Sequence, residues 1–151
     1  MEFQSQPIAK AEFLIRKPVA EVFEAFIDPN TITKFWFDRS TGRLENGKTV
    51  RWFWDLYNAS CEVRVKDIVV NRRIFIEWDA GTEHATTFRR NLYARSDDST
   101  YVTVKNEGFV GDGDEIVAKA LDSTGGFTLV LAAAKAYLEH GIQLNLVADR
   151  L

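Results

Sequence analysis

Between Thr41 and Gly108 the apolar residues recur at every second position, and turn-forming pairs interrupt them at strand-length intervals. Little except an antiparallel meander satisfies both periods at once. The interruptions are Asn46-Gly47, Tyr57-Asn58, Asn71-Arg72, Ala80-Gly81 and Asp97-Asp98, residue types that take tight or left-handed backbone readily. Val50, Trp52, Trp54 and Leu56 alternate with Arg51, Phe53, Asp55 and Tyr57, which puts both tryptophans on one sheet face. Cys61, Val63 and Val65, then Ile74, Ile76 and Trp78, then Val102 and Val104 repeat the pattern. The stretch from Glu83 to Ser96 is ambiguous. Phe88 and Leu92 share a face with Arg90 while Thr87 and Tyr93 lie opposite, and both registers remain open.

A sheet with one apolar face needs a cover. Phe127, Val130, Leu131, Ala134, Tyr137 and Leu138 form a helical stripe that ends at His140, with Gly141 as its stop signal. That stripe is expected to lie across the concave face of the meander. Upstream, Asp114 is expected to cap a short helix carrying Ile116, Val117, Ala120 and Leu121. Gly125 and Gly126 would each cost about 1 kcal/mol inside a helix, so the chain is expected to break there and restart under Asp122 or Ser123. Before the meander, Ile8 to Ile15 reads as a strand. Pro18 then opens a helix with Val19, Val22, Phe23 and Phe26, and Thr31 caps a second short one carrying Ile32, Phe35 and Trp36. The whole chain, 1–151, reads as one α+β domain: a curved antiparallel sheet of about seven strands wrapped around a long C-terminal helix, with two short helices after the first strand.

Charge and composition exclude several roles. The 22 acidic and 19 basic residues are mixed along the chain and sum to −3, so no basic footprint for nucleic acid exists. The first residues show no basic then apolar leader, and no stretch reads as a membrane span of about 20 apolar residues. A cytoplasmic protein is expected. The single cysteine, Cys61, has no partner for an internal disulfide, as suits a reducing compartment. Asn58-Ala59-Ser60, although it spells a glycosylation acceptor, is then expected to stay unmodified.

The order of elements resembles the START or Bet v 1-like superfamily of helix-grip domains, also called SRPBCC. The run from Lys17 to Pro29 and the cluster Phe35-Trp36-Phe37 look like the opening of the activator of Hsp90 ATPase homologue 1-like family. Val63 to Trp78, Val102 to Phe109, and Gly126-Phe127 leading into Leu131 and Leu138 continue the likeness in order. Two positions depart from it: Gly47 stands alone where members often pair glycines, and Phe127 takes the place of a frequent Trp. The co-chaperone that names the family joins this domain to a separate Hsp90-binding domain, and the 151 residues hold no counterpart to it. The resemblance implies a cavity between sheet and helix, which relatives use for hydrophobic ligands or for ring closure of polyketides. Fold-level analogy does not choose between them.

The residues themselves favour binding over catalysis. Cys61, His84 and His140 lack metal-ligand spacing, and His140 suits the negative end of a helix. No metal or cofactor is expected. Cys61 reads as a core thiol rather than a nucleophile. Ser123-Thr124-Gly125-Gly126 lacks the Lys of a phosphate loop, which leaves an anion at a helix N-terminus as its only functional reading. Gly111 to Glu115 is too short for a calcium loop. Arg90 either faces inward, where it needs an anion or acceptors, or points to solvent or pairs with Glu77 or Asp55. Glu107 is a weaker candidate for acid–base work. Four tryptophans in a small domain exceed what a core needs, because each indole N–H wants a partner. The expected function is binding of a small hydrophobic or aromatic molecule by Trp36, Trp52, Trp54, Trp78, Phe88, Arg90, Phe127 and Leu131, with no catalytic residue assigned. The alternatives are a co-chaperone-like interaction module and a cyclase- or hydrolase-like enzyme. A protein partner or a homodimer through an edge strand or the helix rim stays open.

Overall fold

The computed structural model describes residues 6–150. Seven antiparallel strands form one sheet: β1 (Ala9–Ile15), β2 (Arg39–Ser40), β3 (Thr49–Trp54), β4 (Ala59–Val69), β5 (Arg73–Trp78), β6 (Thr86–Ser96) and β7 (Ser99–Glu107). Their spatial order is β1-β7-β6-β5-β4-β3-β2, so the meander runs uninterrupted and β1 closes its far side. Two short helices, α1 (Val19–Ile27) and α2 (Pro29–Ile32), follow β1. Asp28 rather than Thr31 caps α2, its carboxylate accepting the Asn30 N–H at 3.0 Å. Phe35 and Trp36 therefore fall beyond α2, in the connection to β2, yet both are buried.

The pleat explains which residues are inside. Trp52 opposes Cys61, Trp78 opposes Val63, and Phe88 opposes Ile76 across neighbouring strands, all on the concave face. On β6 the buried set is Phe88, Arg90 and Leu92, which settles the open register. The register shifts between Val65 and Asp67 on β4, and past this bulge the inward position passes to Ile68 opposite Ile74. Leu56 does not continue the row of Trp52 and Trp54. The strand ends at Trp54, a single 3₁₀ turn carries Asp55–Tyr57, and Asn58 takes a left-handed φ of 50°, so Leu56 is 68% exposed.

The last helix, α3, is one continuous element, Gly113–His140. Asp112, not Asp114, is its cap, accepting the Glu115 N–H at 2.9 Å. The expected break at Gly125 and Gly126 does not occur, and Ser123 caps nothing; its hydroxyl donates to Asn106 Oδ1 at 2.8 Å. The reading of an anion at a helix N-terminus there falls with the break. The C-terminal half of α3 buries Val130, Leu131, Ala133 and Ala134 against the core. Lys135 fastens it to β1, donating to the Leu14 carbonyl and to Glu139, each at 2.6 Å. By length and composition α3 is apolar enough to cross a membrane, contrary to the reading from sequence, but its apolar stripe is the one packed on the sheet.

Candidate functional site

A cavity of about 520 Å³ opens between the concave sheet and the middle of α3, within the usual size range of small-molecule sites. Its aromatic wall includes Trp36 from the α2–β2 connection, Trp54 at the end of β3, Trp78 at the end of β5 and Phe127 of α3, and Phe109 after β7 borders it as well. These rings brace one another: Trp36 stacks on Trp78 at 5.7 Å and meets Phe127 edge-on at 5.8 Å, and Trp54 lies 5.6 Å from Trp78. Two of them, Trp54 and Trp78, are the last residues of β3 and β5 and so are delivered by strand ends. A hollow of about 430 Å³ adjoins the cavity and shares Trp54, Trp78, Asp79, Val147 and Arg150 with it.

The opposite wall is polar. Asn106 of β7 is 6% exposed, and its amide donates to Thr86 Oγ1 and to the Thr87 carbonyl at 3.0 and 2.8 Å while its oxygen accepts from Ser123. Thr86 and Ser123 reach the cavity from this fully paired group. Asp79 follows Trp78 directly and turns the chain out of β5 with φ 56°, a left-handed conformation that Asp tolerates better than most residues. Burial raises its carboxyl pKa, and the nearby His84 opposes the rise. Asp79 also helps explain Cys61: burial first, then the Asp79 charge, pushes the thiol pKa up to about 12. Such a thiol is no nucleophile.

The segment that follows α3 forms a strap over this region. Gly141 reverses the chain with φ 68°, and Leu146 and Val147 pack back against the core. The Tyr57 hydroxyl donates into a cluster of three carbonyls, those of Val147, Ala148 and Arg150, at 3.1, 2.8 and 2.7 Å. Arg150 donates to the Asp122 carboxylate at 2.9 Å, and its guanidinium rests on Gly125 and Gly126. A Cβ at those positions would lie 3.2 and 3.0 Å from it. The two helix-interior glycines thus make room for the strap.

Of the eight residues expected to touch a ligand, Trp36, Trp54, Trp78 and Phe127 line the cavity. Trp52, Phe88, Arg90 and Leu131 sit in the core beneath them, each at most 1% exposed. Arg90 faces inward and pairs with neither Glu77 nor Asp55, which bond to Arg64, Lys66 and Arg39. Its guanidinium carbon lies 3.7 Å from the Phe26 ring centroid and 4.8 Å from that of Phe88. Its Nε and Nη2 find no hydrogen-bond partner among the described residues, and burial lowers its pKa to about 9. Sequence reasoning passed over Asp79, Thr86, Asn106 and the strap. Only Asp79 carried a signal, as an acid placed directly after an inward tryptophan at a turn.

A seven-stranded antiparallel sheet gripping a long helix, with short helices after the first strand, defines a helix-grip α+β domain. The model of the activator of Hsp90 ATPase homolog 1-like proteins matches residues 16–139, and the chain belongs to that family. Among solved structures it is similar to the protein SSP2350 from Staphylococcus saprophyticus, with 28% identity, a TM-score of 0.78, and coverage of 91% of this chain and 95% of that one. The di-domain ARO/CYC BexL of the BE-7585A biosynthetic pathway shares the fold at 15% identity and a TM-score of 0.71, covering 87% of this chain and 46% of that one. An HSP90 activator from Plasmodium falciparum does so at 14% identity and 0.69, covering 89% and 96%. No curated protein matches the chain in sequence.

Proposed function

We propose that this domain binds a small apolar or aromatic molecule between its sheet and α3, in contact with Trp36, Trp54, Trp78 and Phe127. The observation that carries the reading is that these four rings, though braced on one another, border a cavity of about 520 Å³. An apolar wall opposite a few fixed polar groups is the common form of a small-molecule site. Trp52, Phe88, Arg90 and Leu131 serve the same site as its floor. The test is native mass spectrometry of the freshly purified protein, followed by titration of apolar aromatics against tryptophan fluorescence. A stoichiometric adduct, or saturable protection of the indoles from acrylamide, supports the binder. Bare protein whose indoles no compound protects refutes it.

The family favours a second reading, a module that docks on a chaperone or client, and the fold is shared with an HSP90 activator. In that case a protein partner, and no small molecule, would protect the indoles. A cyclase-like enzyme is a third reading, consistent with Asp79 and His84 on the cavity wall and with the shared fold of an ARO/CYC protein. Turnover lost on substituting Asp79 would single it out.

A further inference from the structure

The charges around the cavity are not equally committed. Lys119 donates to the Val110 carbonyl, and Arg150 and Asp122 are bound to each other. His84 lies 3.4 Å from the exposed Glu83 carboxylate. Asp79 alone of the two cavity acids has a carboxylate that makes no hydrogen bond or ion pair among the described residues, although it is half-buried between the cavity and the adjoining hollow. A carboxylate drawn partly out of water without a partner is costly. Around it stand Trp78, the preceding residue, Trp54, which borders both hollows with it, and His84, which acts on the carboxyl through space without an ion pair to it among the described residues. Indole rings attract cations through their quadrupole, and aromatic walls joined to an acid are the usual receptor for ammonium groups.

We propose that the ligand of this cavity is an organic cation, an amine or quaternary ammonium on an apolar body, with its charge beside Asp79 and its body against Trp36 and Phe127. The assignment deepens the proposed binding function and rests on it. Neutral apolar ligands would fill the same volume but leave Asp79 unpaired, and anionic ones would meet it as a like charge. Arg150 already neutralises Asp122, and the Lys119 ammonium, which keeps its charge, is held at the Val110 carbonyl and makes no ion pair with Asp79 among the described residues.

Three probes of one shape and different charge test it: benzyltrimethylammonium, its neutral carbon isostere neopentylbenzene, and phenylacetate. Each is titrated at pH 8, where an ordinary imidazole is neutral, with tryptophan fluorescence as readout. Benzyltrimethylammonium is expected to bind at least tenfold more tightly than the other two. Asp79→Asn should remove that preference and leave the affinity for neopentylbenzene within twofold. Asparagine suits the left-handed backbone at this position, and an unchanged melting temperature confirms that the turn is kept. Binding of neopentylbenzene as tightly as the cation, or a preference that survives Asp79→Asn, overturns the assignment while leaving the binding function intact. If none of the three binds, this assignment falls, and native mass spectrometry of the purified protein decides the binding function separately.

Discussion

Replacing Arg90 with methionine should make this protein more stable. The guanidinium is 1% exposed, its Nε and Nη2 have no acceptor among the described residues, and burial lowers its pKa from the ordinary guanidinium value to about 9. That fall corresponds to at most roughly 5 kcal/mol against the charged form at neutral pH. The ring of Phe26 at 3.7 Å returns about 2 kcal/mol, the scale of a desolvated cation–π contact. Methionine retains most of the apolar stem and leaves a small gap costing about 1 kcal/mol. The net expectation for Arg90→Met is a gain of about 2 kcal/mol, or about 4–8 °C in Tm for a domain of this size. The pH dependence has a definite sign. Below pH 9 the folded and unfolded states both carry the proton, and the full penalty applies. Above it the folded state sheds a proton that the unfolded state keeps, so wild-type stability rises with pH relative to the variant, by about 2 kcal/mol at pH 10.5. Urea denaturation of both proteins at pH 7, 9 and 10.5 measures this. A variant less stable than wild type by more than about 1 kcal/mol at pH 7 would refute the reasoning and show that an internal acceptor satisfies Arg90.

The strap predicts coupling between α3 and position 150. Gly126→Ala should stabilise α3 by about 1 kcal/mol when combined with Arg150→Ala, but by clearly less alone, because the new Cβ would lie 3.0 Å from the guanidinium. A double-mutant cycle read by urea denaturation checks this, and additivity within about 0.3 kcal/mol would remove the packing explanation. Cys61, 6% exposed beside the adjoining hollow and with its thiol pushed up to about 12, should be alkylated by iodoacetamide at pH 8 far more slowly than in urea, where it should react at the rate of a free thiol. Modification within minutes in native buffer would contradict its burial.

The sheet was legible because alternation is a local property. Trp52, Val63, Ile76 and Val104 lie inside as their parity requires, and the turns at Gly47, Asn58, Asn71 and Gly81 each take positive φ. Legibility failed where distant residues decided the outcome. Propensity argues for a break at Gly125-Gly126, but Arg150, more than twenty residues on, occupies the space the glycines leave, and Ser123 gives its hydroxyl to Asn106 instead of to a helix end. Residues 141–150 show no period, so nothing in the sequence announces a strap or its attachment to Tyr57. Within the aromatic group the sequence identified the right face and could not divide it. Trp52 and Trp54 share one parity, yet Trp52 stacks on Phe37 at 4.3 Å in the core while Trp54, one pleat nearer the strand end, borders the cavity.

That division follows from how α3 crosses the sheet. Its C-terminal half presents Ala133 and Ala134 beside Val130 and Leu131, small side chains that let the helix approach closely, and Lys135 and Glu139 hold it to β1 and the residue after it. Its middle is held off the sheet, because Phe127 rests on Phe88 at 4.7 Å and on the edge of Trp36. The same helix is therefore a core element at one end and a cavity wall at the other, and Phe127 marks the change. Trp52, Phe88, Arg90 and Leu131 pack solidly beneath that point, so the cavity has a floor that a ligand need not organise. Its walls at Asp79 and Arg150 belong instead to a turn and to the strap, outside the strands and α3. A ligand would then be selected at the rim, where charge and closure reside, while its apolar body meets surfaces already fixed by folding.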